Sequence, residues 1–278
     1  MRAFRRIALG ALACVLLAYL GAMALLYSSQ DRLLYFPQAL QREPTAEVFR
    51  WRSGDLDLRG WAINPGQPRA LLYFGGNGEA VELDSFDFRD LIPGTSVYLL
   101  PYRGYSGNPG LPSEKALLAD ALAAYDAIAM RHAGIDVMGR SLGSGVAVHV
   151  AAERPVGKLL LVTPFDSVVR VGQEMYPYFP ISWLAKDRYD SYQRAPRVRA
   201  KVLLMVGAAD TLVPPAHSRA LADSFASPPP TCFFAGRGHN DISRSPDYWP
   251  MVRRFFANEA PCARAATASA RATGKARR

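Results

Sequence analysis

Short apolar runs alternate along the chain with longer segments in which apolar residues recur at helical spacing. Apolar runs of roughly 4–8 residues, bounded by glycine, proline or polar clusters, are typical of buried strands. They predict strands at Glu47–Arg52, Asp57–Ile63, Ala70–Phe74, Ser96–Leu100, Ile135–Met138, Lys158–Thr163, Lys201–Val206 and Thr231–Phe234. Helices are predicted at Glu79–Leu91, Pro112–Arg131, Pro214–Phe225 and Pro246–Ala257.

This alternation predicts the α/β fold class. Strands that alternate with helices form a mostly parallel central sheet with helices on both faces. The first two strands have no helix between them, and Ser53-Gly54-Asp55 predicts a tight turn, so an antiparallel pair should lead into the sheet. One domain is therefore predicted over residues 31–260.

Residues 166–199 interrupt the alternation with a segment rich in aromatic residues and proline. A long connection of this kind inside a compact domain is often a functional loop. We expect a short lid insertion over the sheet. The sequence leaves open whether its side chains contact a substrate or only pack as a long connection.

The first thirty residues differ from the rest. Three arginines precede an uncharged run, and Ile7–Tyr27 spans 21 residues, close to the ~20 that a helix needs to cross a bilayer. The apolar core of a cleaved signal peptide is only about 7–15 residues long. Residues 1–30 are therefore interpreted as a transmembrane signal anchor. Two alternatives stay open: cleavage after Ala22-Met23-Ala24, which would release a secreted domain, and a buried helix of a soluble protein.

The charge distribution gives the orientation of this anchor. Basic residues precede the apolar run, so the positive-inside rule predicts a cytoplasmic N-terminus and an extracytoplasmic domain, periplasmic in a bacterium. Arg2, Arg5 and Arg6, with five basic residues in segment 261–278, account for eight of the nine net positive charges. The rest of the chain is nearly neutral, which argues against nucleic-acid binding. Segment 261–278 is predicted to be a disordered basic tail, with a weak contact to anionic lipid or nucleic acid left open.

The cysteines and histidines give no indication of a metal site. Cys14 lies in the apolar run, whereas Cys232 and Cys262 would be available either as a disulfide in an extracytoplasmic domain or as two thiols. The chain has no C-x-x-C pair and no clustered His/Cys set. We therefore expect neither a metal nor a cofactor.

The strongest chemical signal is Gly139-Arg140-Ser141-Leu142-Gly143, which fits the G-x-S-x-G nucleophile elbow. A strand must turn sharply into a helix here, which strains the backbone of Ser141 and leaves no room for side chains at Gly139 and Gly143. The serine hydroxyl then stands at the carboxyl end of the strand, beside a helix N-terminus that favours negative charge. The alternative is a glycine-rich turn whose serine only caps a helix.

A nucleophilic serine needs a base and an acid, and this order of elements places them after later strands. His239 follows the last predicted strand, in Gly238-His239-Asn240-Asp241, and is the predicted base. Asp210 follows Lys201–Val206 and is the predicted acid, with Asp166 as its rival. Asp241 is expected to brace the histidine loop. His217 lies on a helix that looks surface-exposed.

Two backbone N–H groups must stabilise the oxyanion that forms when an acyl carbonyl is attacked. The residue after the nucleophile, Leu142, supplies the first. The loop Gly75-Gly76-Asn77-Gly78 follows a buried strand and lets its backbone approach closely. We assign the second donor to the Asn77 amide, with Gly76 as the alternative. No Lys-Ser/Thr pair follows these glycines, so a phosphate-binding loop is not indicated.

Together these motifs resemble the α/β-hydrolase superfamily. The elbow is similar to that of the single-pass, membrane-anchored serine hydrolases that include protein depalmitoylases. Other stretches resemble further landmarks of that branch: Leu34-Tyr35-Phe36-Pro37, Tyr102-Arg103-Gly104-Tyr105, Pro112-Ser113-Glu114, Val213-Pro214 and Gly238-His239-Asn240-Asp241. The resemblance covers about residues 31–257. This chain departs from it at two places: Gly75-Gly76 stands where many relatives have His-Gly, and Pro101 stands where many have an acid before Tyr-Arg-Gly.

The resemblance implies a serine hydrolase that cleaves an ester or thioester through an acyl-enzyme. An acyl or lipid-like substrate is expected from the aromatic lid and the anchor. Two alternatives remain: an aminopeptidase-like member of the same superfamily, and a membrane-tethered binding domain without catalysis. Fold-level analogy does not choose a substrate. The sequence gives no oligomeric state.

Overall fold

The computed structural model describes residues 1–89, 92 and 94–262, so the predicted tail lies almost wholly outside the described part. Within it, eight strands form one sheet in the order β1-β2-β4-β3-β5-β6-β7-β8. The strands are β1 Glu47–Ser53, β2 Leu56–Ile63, β3 Arg69–Phe74, β4 Thr95–Leu99, β5 Gly134–Arg140, β6 Lys158–Val162, β7 Lys201–Gly207 and β8 Thr231–Phe234. All eight predicted strands are confirmed.

The sheet begins with an antiparallel pair and continues in parallel. Strand β1 pairs with β2, and β2 with β4, in antiparallel register. Every later pairing, from β4 through β8, is parallel. Gly54, at φ +57°, makes the turn between β1 and β2. The predicted antiparallel entry and mostly parallel sheet are both confirmed.

The α-helices of the described part are α1 Arg2–Leu34, α2 Ser85–Arg89, α3 Glu114–Ala129, α4 Leu142–Glu153, α5 Val168–Met175, α6 Ile181–Leu184, α7 Ser191–Arg194, α8 Pro215–Ser224 and α9 Tyr248–Phe256. Ser113 caps α3 as its sequence indicated, accepting from the Ala116 amide at 3.3 Å. The helix predicted at Glu79–Leu91 is shorter than expected. It begins as a 3-10 turn at Val81–Asp84, and Leu91 lies outside the described residues.

Helices cover both faces of the sheet. On one face α3, α4 and α8 bury residues such as Leu117, Val146 and Leu221 against β5, β6 and β7. On the other, α2 and α9 bury Phe88 and Phe255 in a second cluster. Each layer removes apolar side chains from water, which is the main stabilising term of such a fold. The carboxyl ends of the central strands stay open for the loops that carry polar side chains.

Helix α1 is long and apolar enough to cross a membrane, with a mean hydropathy of 2.3 in its most apolar window and none of that window buried. Its C-terminal half contacts the inserted segment. Gln30 donates to the Leu184 carbonyl at 3.2 Å and accepts from the Lys186 amide at 2.7 Å. The inserted segment contains α5, α6 and α7. It therefore lies between α1 and the body of the protein.

Cys232 and Cys262 are joined by a disulfide, with their Cα atoms 5.5 Å apart. The sequence had left this pair open. The bond ties β8 to the segment that follows α9. Cys14, in α1, is a free and exposed thiol.

Candidate active site

The turn between β5 and α4 has the strained geometry that its glycines predict. Ser141 has φ +51° and ψ −119°, a conformation that L-residues seldom adopt. A Cβ on Gly139 would lie 2.3 Å from the Gly143 carbonyl oxygen, and one on Gly143 would lie 2.1 Å from the Phe74 carbonyl oxygen. Both positions therefore require glycine. The second contact also shows that the elbow packs directly on the end of β3.

Ser141, His239 and Asp210 form one hydrogen-bonded chain. The Ser141 Oγ lies 2.8 Å from His239 Nε2, and His239 Nδ1 lies 2.7 Å from Asp210 Oδ2. Asp210 and His239 are both buried. Three loops, after β5, β7 and β8, bring these side chains together as the sequence order predicted. The arrangement has the geometry in which a base removes a serine proton and an acid orients the base.

Each of the two later loops is fixed by a carboxylate. Asp210 Oδ1 accepts from the amides of Leu212 and Val213 at 2.9 and 2.8 Å, which leaves Oδ2 for the histidine. Asp241 Oδ1 accepts from the Gly238 amide at 2.7 Å. Asp241 thus holds the turn before His239, the bracing role expected of it.

Of the two amides predicted as the second oxyanion donor, that of Asn77 has no acceptor among the described residues. The Gly76 amide is already engaged, since it donates to Glu79 Oε2 at 2.9 Å. Within the described residues, neither the Leu142 nor the Asn77 amide has an acceptor in the chain. A Cβ on Gly76 would lie 3.7 Å from the Ser141 Cβ, so this loop runs beside the serine. Two free amides therefore flank the nucleophile.

Two tyrosines of the stretch Tyr102-Arg103-Gly104-Tyr105 bind the backbone carbonyls of this loop, which gives that stretch a structural role. Tyr102 donates to the Gly75 carbonyl and Tyr105 to the Asn77 carbonyl, each at 2.7 Å. The Asn77 side chain donates to the Leu34 carbonyl at 3.0 Å. The loop is thereby tied to the C-terminal end of α1.

A buried polar cluster under the site was not predicted. Glu79 Oε2 accepts from Arg140 Nη1 at 2.9 Å as well as from the Gly76 amide, and Glu79 Oε1 accepts from the Tyr73 hydroxyl. Burial tends to raise the pKa of Glu79, but the Arg140 cation keeps it below its usual value. Burial and the adjacent Glu79 charge raise the pKa of Asp84 to about 9. The Arg140 cation thus faces the Glu79 carboxylate, and burial together with the Glu79 charge disfavours ionisation of Asp84.

Asp166, the rival acid, belongs to a different pair. Its Oδ1 lies 2.8 Å from His217 Nδ1, and its Oδ2 lies 2.8 Å from Arg170. The expectation that His217 is a surface residue was wrong, because α8 turns it inward against Asp166 and Glu174. Burial opposes ionisation of Asp166, but the hydrogen bonds from His217 and Arg170 keep its pKa below the usual value. The pair joins α8 to the segment 166–199.

We expect the stability contribution of this pair to depend on pH. The hydrogen bond to Asp166 raises the pKa of His217, so the charged pair contributes fully below the unfolded pKa, ~6.5, and is lost as pH rises through the folded pKa. Wild type should therefore lose about 1 kcal/mol, or roughly 2–4 °C in Tm, relative to His217→Gln between pH 6 and 8.5. Thermal unfolding at both pH values measures it. If Tm changed equally in wild type and His217→Gln between the two pH values, the His217–Asp166 pair would not be the source of the pH dependence.

Ser141 and His239 line a cavity of about 710 Å³, within the ~300–1,000 Å³ range of small-molecule sites. Leu142 and Asn77 line it as well. Most of the remaining wall is apolar and comes from the segment 166–199 and from α1: Val168, Val171, Met175, Ile181, Leu26 and Leu34. Among the described residues no cluster of three or more His, Cys, Asp or Glu could hold a metal ion.

Three features together are characteristic of a single fold class. The sheet is mostly parallel, β5 ends in a strained serine elbow, and an acid and a histidine lie in later loops. No family model matches the chain. Uncharacterized protein Rv2307c of Mycobacterium tuberculosis is 36% identical over 257 residues, which cover 84% of this chain and 89% of the relative. Alpha/beta hydrolase domain-containing protein 17C of Xenopus laevis is 29% identical, over 81% of this chain and 74% of the relative.

Solved structures agree on the fold. The Pyrococcus furiosus esterase Pf2001 superposes with a TM-score of 0.64 at 15% identity, covering 81% of this chain and 99% of the esterase. An acetyl xylan esterase from Paenibacillus sp. R4 gives 0.59 at 19% identity, covering 79% and 90%. The chain belongs to the α/β-hydrolase superfamily. Taken with the curated relatives, these likenesses support a hydrolase of that superfamily.

Proposed function

We propose that this protein is a membrane-anchored serine hydrolase that cleaves an ester or thioester of an acyl or lipid-like substrate. The observation that carries the proposal is the continuous hydrogen-bond chain from Ser141 through His239 to Asp210, at the floor of an apolar cavity. The proposed units are the anchor over residues 1–30 and the catalytic domain over 31–260, with its lid at 166–199. The chemistry requires no cofactor.

In the first half-reaction the Ser141 Oγ attacks the acyl carbonyl while His239 Nε2 takes the hydroxyl proton. Asp210 orients the imidazole and stabilises its cation. The carbonyl oxygen gains negative charge, which the Leu142 and Asn77 amides stabilise. The tetrahedral intermediate collapses, the bond to the leaving oxygen or sulfur breaks, and His239 returns its proton to the leaving group.

In the second half-reaction water attacks the acyl-serine. His239 Nε2 removes a proton from the water, a second tetrahedral intermediate forms, and its collapse breaks the bond to the Ser141 Oγ. The proton returns to the serine and the acid product leaves. The enzyme is restored with one water consumed.

A fluorophosphonate probe tests the nucleophile, because it reacts with a serine only when a base activates the hydroxyl. Wild type should be labelled and Ser141→Ala should not. Ser224→Ala, which removes a hydroxyl from the end of α8, is the matched control and should label like wild type. Equal labelling of Ser141→Ala, or unlabelled wild type, would refute the proposal.

A substrate panel separates the proposed reaction from its alternatives. Matched oxygen-ester, thioester and amide substrates with the same acyl chain should show turnover of the first two and little of the third. Preferential cleavage of the amide would assign the chain to the peptidases. A protein that turns over none of them and resists labelling would be the non-catalytic binding domain.

The disulfide supports the proposed extracytoplasmic location, since disulfides persist mainly in oxidising compartments. Alkylation of the protein in intact cells without reductant should modify neither Cys232 nor Cys262, and alkylation after reduction should modify both. The modified cysteines are identified by peptide mass spectrometry. Alkylation of Cys232 before reduction would contradict the location. Recovery of a chain that begins at Leu25 would instead indicate a cleaved signal peptide.

A further inference from the structure

The lid runs along α1 and contacts it at successive positions along the helix axis. Near one end, the ring of Tyr19 stacks on Phe179 with centroids 5.5 Å apart and planes 3° apart, and the Tyr19 hydroxyl donates to the Tyr178 carbonyl at 2.8 Å. Near the other end, the Lys186 ammonium lies 3.5 Å from Asp31. Between residues 178 and 186 the lid therefore extends along the axis of α1 from the position of Tyr19 to that of Asp31.

These levels can be placed in a bilayer. A rise of 1.5 Å per residue puts Tyr19 about 18 Å from Asp31 along the helix axis, and about 12 Å below Tyr27, where the proposed span ends. The hydrocarbon core is about 30 Å thick, so one leaflet contributes about 15 Å. A lid that touches Tyr19 is therefore at a depth within the outer leaflet. Lys186 and Asp31 are then at the water-facing surface.

The composition of the lid matches this depth. Met175–Ala185 contains no charged residue. Four of its large side chains are exposed, namely Met175, Tyr176, Tyr178 and Trp183, and those of Tyr178 and Trp183 are each 85% exposed. Aromatic side chains of this kind are enriched where a protein meets the membrane interface. In water the same face would be an unusual exposed apolar patch.

Several backbone groups of the lid are hydrogen-bonded within the protein, as a lipid environment favours. Pro177 and Pro180 carry no N–H group. The Phe179 amide donates to the Tyr176 carbonyl at 3.1 Å, and the Phe179 carbonyl accepts from Gln173 Nε2 at 2.9 Å. The Tyr178 carbonyl accepts a hydrogen bond from the Tyr19 hydroxyl. The side chains of Gln173 and Tyr19 thus satisfy carbonyls that water would otherwise solvate.

The cavity lies between these two elements. Its outer wall comes from α1, through Leu26, Gln30 and Leu33, and from the lid, through Met175, Ile181 and Leu184. We infer that residues 175–185 are immersed in the outer leaflet beside α1, and that the cavity takes the acyl chain of its substrate directly from that leaflet. The second part rests on the proposed hydrolase activity, whereas the first part does not.

Depth-dependent quenching tests the immersion. The full chain is reconstituted into phosphatidylcholine vesicles with or without lipids brominated in the acyl chain, which quench tryptophan only at close range. Brominated lipid should lower the emission of wild type, and Trp183→Phe should abolish most of this decrease. Of the other three tryptophans, Trp51 and Trp61 are buried, and Trp249 in α9 packs against the core cluster on the far face of the sheet. Equal quenching of wild type and Trp183→Phe, or no quenching, would overturn the immersion.

Two substrates test the supply of the acyl chain. One is 4-methylumbelliferyl palmitate embedded in the vesicles, and the other is water-soluble p-nitrophenyl acetate. The double variant Tyr178→Ser/Trp183→Ser should lose about tenfold or more on the embedded ester, with little change on the soluble one, because neither side chain lines the cavity. Met130→Ser removes an 84% exposed side chain near the opposite edge of the sheet and should match wild type on both.

The outcomes separate the two claims. Equal losses on both esters, or no loss on either, would overturn the supply of substrate from the leaflet. Wild type inactive on both esters would refute the proposed hydrolase and the leaflet supply together. The quenching result would still decide the position of the lid by itself.

Discussion

If the proposed mechanism holds, replacing Asp210 with asparagine lowers kcat for ester hydrolysis by about 10⁴, the size of effect seen when the triad carboxylate of a serine protease is made neutral. The amide would still fill the space, and its oxygen could still accept from the Leu212 and Val213 amides. The group facing His239 Nδ1 would then be an NH₂ donor, which favours the wrong tautomer and leaves the imidazolium unstabilised. Steady-state kinetics with a soluble ester measures the loss.

Two matched variants control this prediction. Asp166→Asn changes the acid that competes for the role from sequence alone, and Asp223→Asn changes an exposed acid of α8. Both should keep kcat within a few-fold of wild type in protein that remains folded. A loss near 10⁴ in Asp166→Asn, with Asp210→Asn active, would reverse the assignment.

Asp210 and Asp166 show which features of the candidate site can be predicted from the sequence and which cannot. Both acids follow apolar strands, so the strand pattern alone gave two candidates. Chain order favoured Asp210, and the structure adds the reason: the turn after β7 delivers its carboxylate to His239, while Asp166 is neutralised by Arg170 and His217. Strands, elbow and histidine loop are readable because each depends on local sequence. Pairings between distant segments are not.

The same limit explains what the sequence analysis missed. Glu79 was assigned to a helix that in fact starts two residues later, because a carboxylate after a glycine-rich loop resembles a helix start. Its burial becomes visible only when β3 and β5 are placed side by side, which brings Glu79 to Arg140. Its position three residues after Gly76 was the available signal, since that spacing lets a side chain fold back onto the loop amide. The Cys232–Cys262 bond likewise depends on where the chain returns after α9.

Replacing Glu79 with glutamine is expected to affect stability and catalysis together. Arg140 would lose its carboxylate partner while still buried, and breaking such a pair costs about 3–5 kcal/mol. The glutamine oxygen could still accept from the Gly76 amide, but with a weaker, uncharged bond. The loop that carries Asn77 would be held less firmly beside Ser141, so kcat should fall about 10- to 100-fold with little change in KM, because the oxyanion forms only in the transition state.

Removing both partners separates the buried charge from the position of the loop. The double variant Glu79→Gln/Arg140→Met should recover much of the lost stability, because no unpaired charge remains, while kcat stays low. Asp136→Asn breaks an ion pair between the buried Asp136 and the half-exposed Arg69, near the amino end of β5, and should lower the free energy of unfolding without changing kcat of the folded protein. Denaturant unfolding and kinetics on the same samples give both quantities. A double variant that recovers full kcat would show that Glu79 only neutralises Arg140 and does not position the oxyanion loop.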